Sequence, residues 1–160
     1  MEAAVSTVIV GLLVVAALGT VGATRRSVQQ MGDYKRGALL AQQLMAEILQ
    51  QSYEDPTEPV VLGLELSEVG LTRLAFDDVD DYHNWSASPP QNKDGTVIPD
   101  LTGWRHSVVV ERVSPTNLSQ TAISESGVKR ITVTVSVNDV EVASLVALRT
   151  AAWQGPLSNR

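Results

Sequence analysis

The chain has 160 residues, 44% of them hydrophobic and 4% aromatic, with a net charge of −6, two histidines and no cysteine. This length allows one helix-led segment and one modest domain. The acidic balance argues against a nucleic-acid surface, and the absence of cysteine excludes disulfides and thiol chemistry.

Residues 3–23, AAVSTVIVGLLVVAALGTVGA, form an uncharged run with only Ser6, Thr7 and Thr20 as polar side chains; Glu2 stands at its lip, and Arg25 and Arg26 close it. A hydrocarbon core of ~30 Å needs about 20 helical residues, so the run is long enough to span a bilayer. A cleaved secretory signal has a basic start and a shorter apolar core, whereas this start is acidic. A transmembrane helix is therefore expected over 1–26. Gly11, Gly19 and Gly22 let neighbouring helices approach closely; they form no GxxxG pair, and tolerance of small residues facing lipid explains them equally well. An ionised carboxylate at the bilayer centre costs about 2.5–3.5 kcal/mol, but at the end of the span Glu2 is cheap. In its plainest role it is a helix-start acid that favours the helix dipole.

Residues 27–51, SVQQMGDYKRGALLAQQLMAEILQQ, contain no proline, and their apolar positions recur at spacings of three and four, the period of an amphipathic helix. One helix over 2–51 would be about 75 Å long at ~1.5 Å per residue. Gly32 and Gly37 weaken it by about 1 kcal/mol each relative to alanine, which predicts a bend or local melting there.

The helical pattern fails at SYEDPTEP, and 52–103 reads as a variable, loop-rich region. LTRLAF (71–76) is the better strand candidate within it, and 76–103 is expected to be irregular. Asp77, Asp78, Asp80 and Asp81 crowd one stretch of this region, with Asp94 further on. Hard cations such as calcium take six to eight oxygen ligands, so these aspartates are a candidate calcium site. They match no EF-hand spacing, and a solvated acidic loop is the default expectation.

Three strand-length runs follow over 104–113, 128–137 and 140–149. In the middle one, Ile131, Val133, Val135 and Val137 alternate with Thr132, Thr134 and Ser136, giving one dry face and one wet face. Asn138 and Asp139 make a two-residue hairpin connection. The fold class expected is α+β, a long N-terminal helix packed on a small antiparallel sheet, with Leu40, Leu44 and Ile48 closing the dry face of a sheet over 104–153; a tail over 154–160 completes the chain.

Catalysis finds little support: His83 and His106 are the only histidines, and no serine lies in a G-x-S-x-G elbow. His83 falls in the acidic loop and His106 in a strand, as a sheet-surface residue. Trp85, Trp104 and Trp153 are expected as core or edge plugs. Asn84 and Asn117 each open an Asn-X-Ser triplet, a pattern that is frequent by chance.

The stretch EAAVSTVIVGLLVVAALGTVGATRRS resembles the N-terminal signature of type IV pilins and pseudopilins, whose glutamate falls on Glu2. The later GVKRITVTVSVNDVEVASLVALRT is similar to the C-terminal strands of minor pilins and pseudopilins. The resemblance implies a pilin-like fold and a structural role in a type IV pilus or type II secretion filament. It implies other pilin or pseudopilin subunits as partners through the N-terminal helix, with Glu2 pairing with the N-terminal amine of a neighbouring subunit. It also implies a single-pass protein of the bacterial cytoplasmic membrane, with its C-terminal domain in the periplasm or on an extracellular filament. Family precursors carry a short basic leader; here only Met1 precedes Glu2, so cleavage by a prepilin peptidase and N-terminal methylation are implied by the resemblance alone. Arg25 and Arg26 by themselves favour a cytoplasmic domain under the positive-inside rule, and the family's leader reverses that expectation. The competing expectation is a single-pass, membrane-anchored exported binding domain that does not polymerise.

Overall fold

A computed structural model of the chain describes residues 18, 24, 28–55, 62–64 and 68–153. Glu2, Gly11, Gly19 and Gly22 lie outside the described residues, as does almost all of the predicted transmembrane half. Among the described residues no helix is long and apolar enough to cross a membrane. The chain divides into two compact units, Met1–Arg36 and Gly37–Arg160.

Helix α1 covers residues 28–48, and the second unit begins at its Gly37. Leu40, Ala41, Leu44, Met45 and Ile48 are buried, the i, i+4, i+8 stripe that the sequence period demands. The helix continues through 32–37, so the local melting expected there does not occur. Gly37 serves close approach instead: a Cβ there would lie 2.7 Å from Val142 Cγ2, whereas one at Gly32 would meet nothing within 4 Å. Because valine is stiff at χ1, Gly32→Ala is expected to stabilise the helix by up to about 1 kcal/mol, and Gly37→Ala to deliver none of that gain. Thermal melts of the two variants check this.

The helix ends at residue 48, three residues short of the predicted 51. The Gln50 and Gln51 amides tighten into bonds to Glu47 and Ile48 carbonyls, and Arg149 Nη2 donates to the Gln51 carbonyl at 3.1 Å. Ser52 then leaves the helix to bridge Asp78: its N–H donates to the Asp77 carbonyl, and its own carbonyl accepts from Val79.

Five strands make one antiparallel sheet: β1 (Ser86–Ala87), β2 (Trp104–Ser114), β3 (Asn117–Thr121), β4 (Val128–Val137) and β5 (Val140–Thr150). The order is β1-β2-β4-β5, with β3 also on β2. The three predicted strands are present almost to the residue. At the β4–β5 connection Asn138 and Asp139 both have positive φ, 48° and 63°, as a two-residue primed turn requires. Gly103 makes room for this turn: a Cβ would sit 2.6 Å from Asn138 Oδ1.

Register aligns Val108 with Val133 and Val110 with Ile131, and with the α1 stripe these residues form the core. The expected packing of Leu40, Leu44 and Ile48 on the dry face is what the structure shows. LTRLAF is not a strand. Arg73 and Phe76 are buried while Leu71 and Leu74 are exposed, and the Phe76 amide bonds to the Arg73 carbonyl, a period of three that belongs to turns. Strand β3 carried no signal, because all five of its residues are exposed and neither face alternates.

Candidate functional site

The cross-strand register places Arg112, Lys129 and Arg149 side by side on β2, β4 and β5. Each is met by an acceptor from the loop side. Arg112 Nε lies 3.3 Å from Glu125 Oε2, Lys129 Nζ lies 2.9 Å from Asp80 Oδ2, and Arg149 holds the Gln51 carbonyl. The acidic loop is therefore no solvated loop. Asp78, Asp80 and Asp81 are buried, Asp80 against Lys129 of this row, and of the four only Asp77 is exposed.

Local geometry gives each buried carboxylate a task. Asp78 Oδ1 accepts the N–H groups of Asp80 and Asp81 at the start of the Asp80–Tyr82 3₁₀ turn, and Asp78 Oδ2 accepts from Asp55 at 2.7 Å. Asp81 Oδ2 accepts from Asp77 and Asp78. Lys129 Nζ also donates to the Tyr53 carbonyl and sits 4.0 Å over the Tyr53 ring, while the Tyr53 hydroxyl donates to Glu125 Oε1 at 2.6 Å. These aspartates tie residues 52–55, 77–82 and the β4 end into one clasp.

Burial raises the Asp80 carboxyl against the opposing pull of Lys129. Burial, helped by the Asp81 and Asp80 charges, pushes Asp78 up to about 7. Glu125 ends below its ordinary value: burial pushes it up, and the Tyr53 hydroxyl with the Gly127 and Ser126 amides outweighs that push.

A second network lies between α1 and the loops. Arg73, almost wholly buried, grips Glu47 through Nε at 2.8 Å and Nη2 at 3.2 Å, and donates to the Gln91 carbonyl. Its guanidinium lies 4.2 Å over the Trp85 ring, and Trp85 meets His106 edge-on. The Tyr82 hydroxyl donates to Glu47 Oε1. A cavity of about 150 Å³ opens here, lined by Gln43, Glu47, Arg73, Asn92, Lys93 and His106 among others.

His106 is not a sheet-surface residue. It is buried on the dry face of β2, its Nε2 accepts the Gln91 N–H at 3.2 Å, and burial followed by the Arg73 charge lowers its pKa to about 4. Alternation places position 106 on the buried side, in phase with Trp104 and Val108; that phase was the available signal. His83 Nδ1 accepts the Val110 N–H. Both histidines are thus acceptors for backbone amides. Trp104 is a core residue, as expected, and Trp85 is half-buried beneath Arg73.

Asp78 and His106 oppose each other in their pH dependence. Asp78 holds its proton to about 7 in the fold against an ordinary 3.8, so its contribution is full below about 4 and is lost as pH rises through 7. His106 stays neutral down to about 4 against an ordinary 6.5, so its contribution is present above 6.5 and is lost as pH falls through 4. The advantage of Asp78→Asn over the parent is expected to grow with pH across the first window. That of His106→Gln should grow as pH falls across the second. Denaturant titrations at stepped pH measure both.

For a cation, one oxygen each from Glu68, Asp77 and Asp81 lie within 4.8 Å of one another. The structure thus gathers two of the four predicted aspartates with Glu68, which the sequence reading missed because it lies nine residues upstream of Asp77. Asp78 turns to backbone amides, Asp80 to Lys129, and Asp94 to Thr96 in its own turn. Carboxylates are the ligand type a hard cation takes, and three of them supply at most half of a calcium shell.

No family model, curated protein or solved structure matches the chain. The class its fold defines is α+β, one helix laid on an antiparallel five-stranded sheet.

Proposed function

We propose that this chain is a structural subunit of the pilin and pseudopilin class, anchored in the bacterial cytoplasmic membrane by its N-terminal helix and assembling through that helix into a type IV pilus or type II secretion filament. The observation that carries the reading is the contrast along α1. From residue 37 onward the helix buries a regular stripe in the domain core, whereas over 28–36 every residue but Asp33 is exposed, with Val28 and Met31 more than half open to solvent. Val28, Met31 and Tyr34, left exposed just downstream of a bilayer-length apolar run, are side chains that other helices or lipid can cover.

Supporting this, both histidines are engaged as acceptors for backbone amides, a structural use. The sheet packs against the helix from Leu40 to Ile48. In the filament Glu2 neutralises the N-terminal amine of the adjoining subunit, and a prepilin peptidase prepares that amine.

In-cell cysteine crosslinking between neighbouring spans tests the reading, using the chain expressed with a prepilin leader alongside its assembly machine. Ladders are expected from the parent, and their loss is expected from Glu2→Ala and Glu2→Gln with membrane insertion intact. Absence of ladders from every variant in assembling cells would instead identify a membrane-anchored exported domain that does not polymerise.

A further inference from the structure

Lys129 and Asp80 are the most deeply buried ion pair among the described residues, with side-chain exposures of 0% and 1% and Nζ 2.9 Å from Oδ2. A buried ion pair recovers its desolvation cost only when the remaining lone pairs and protons are also satisfied. Here Asp80 Oδ1 is buried and meets no hydrogen-bond donor, so the ionised carboxylate is incompletely compensated. Lys129 has the Tyr53 carbonyl as its other acceptor and the Tyr53 ring packed against Nζ. The pair is therefore held dry, with the nitrogen against one carboxylate oxygen and the other oxygen short of a donor. An amine and a carboxyl held together without water are also the two halves of an amide, and fixed proximity of that kind replaces a large part of a bimolecular barrier.

We propose that Lys129 Nζ and Asp80 Cγ join as an intramolecular isopeptide bond. The Nζ–Cγ bond forms, one Cγ–O bond breaks, and that oxygen leaves as water with two protons from the lysine ammonium; nothing is oxidised or reduced. The product amide carries no charge and a single N–H, for which the Tyr53 carbonyl is already in place. It ties β4 to the 3₁₀ turn at Asp80–Tyr82, joining residues 49 apart in the chain. In a chain with no cysteine it is a covalent staple independent of redox conditions, and it stands whether or not the chain polymerises.

Intact-mass measurement on the whole chain, extracted in detergent and denatured, decides the matter. The parent is expected to be lighter than its sequence mass by one water, with digestion yielding a branched species that links the peptides of residues 80 and 129. Lys129→Arg keeps a cation opposite Asp80 but removes the amine, and is expected at its full sequence mass. A folded parent at full sequence mass overturns the proposal. So does a water loss that maps elsewhere, for example to an imide at Asp94-Gly95, or one that persists in Lys129→Arg.

Discussion

Where Lys129 and Asp80 stand as an ion pair rather than as the proposed amide, Lys129→Met is expected to destabilise the domain by about 3–5 kcal/mol, the cost of breaking that pair from one side. Methionine fills most of the lysine stem's volume, so packing is largely kept while the cation opposite Asp80 is lost. Asp80 is essentially unexposed and its Oδ1 already lacks a donor; without Lys129 its carboxyl stays in the fold only if protonated. The folded-state pKa, already raised by burial, therefore rises further. The deficit should be small near pH 4 and grow as pH rises above the unfolded carboxylate range. Asp80→Asn in the Lys129→Met background removes the charge and is expected to recover part of the loss at neutral pH. Urea unfolding of the parent, Lys129→Met and the double variant at pH 4 and pH 8 checks both statements. A deficit independent of pH would assign the loss to packing instead.

Ile48→Ala should cost about 2–5 kcal/mol, because a fully buried branched side chain is removed from a site flanked by rigid elements. Ile48 has no exposed surface and lies in the last turn of α1, within the core cluster that includes Leu44 and Ile131. Sheet residues on one side and a helix held by the Arg149 bond at Gln51 on the other leave little freedom to collapse onto the cavity. Leu39 gives the contrast on the same helix. It is 61% exposed, so Leu39→Ala should change stability by no more than about 0.5 kcal/mol. If the proposed filament forms, Leu39→Ala is nevertheless expected to weaken crosslinking between subunits. Thermal melts together with the ladder assay separate the core role of Ile48 from an assembly role of Leu39.

Much of the fold was legible because periodicity records burial. The 3.6 period of Leu40, Leu44 and Ile48 and the alternation of Ile131, Val133 and Val135 each marked the face that is buried. Asn138-Asp139 marked the hairpin because those residue types tolerate positive φ. LTRLAF was misleading: its apolar letters suit a strand or a turn equally, and only the burial of Arg73 by Glu47 and Trp85 shows which was chosen. The expectation of a membrane helix over 1–26 rests on the length and hydropathy of the N-terminal run and lies outside the described residues.

The acidic loop illustrates the other side. Four aspartates within five residues signal solvent exposure by composition, and that inference failed for three of them because Asp78 and Asp81 accept backbone amides and Asp80 meets Lys129 from a strand far along the chain. Arg112, Lys129 and Arg149 stand in one row only through the β2–β4 and β4–β5 registers. His106 likewise became an interior residue because Gln91 and Arg73 reach it from separate loops. The sequence by itself determined the helix over 28–48 and the three long strands, since each follows from local spacing. Tertiary structure alone decided which charges are buried and paired, because a charge enters the interior only when a partner distant in sequence offsets its desolvation.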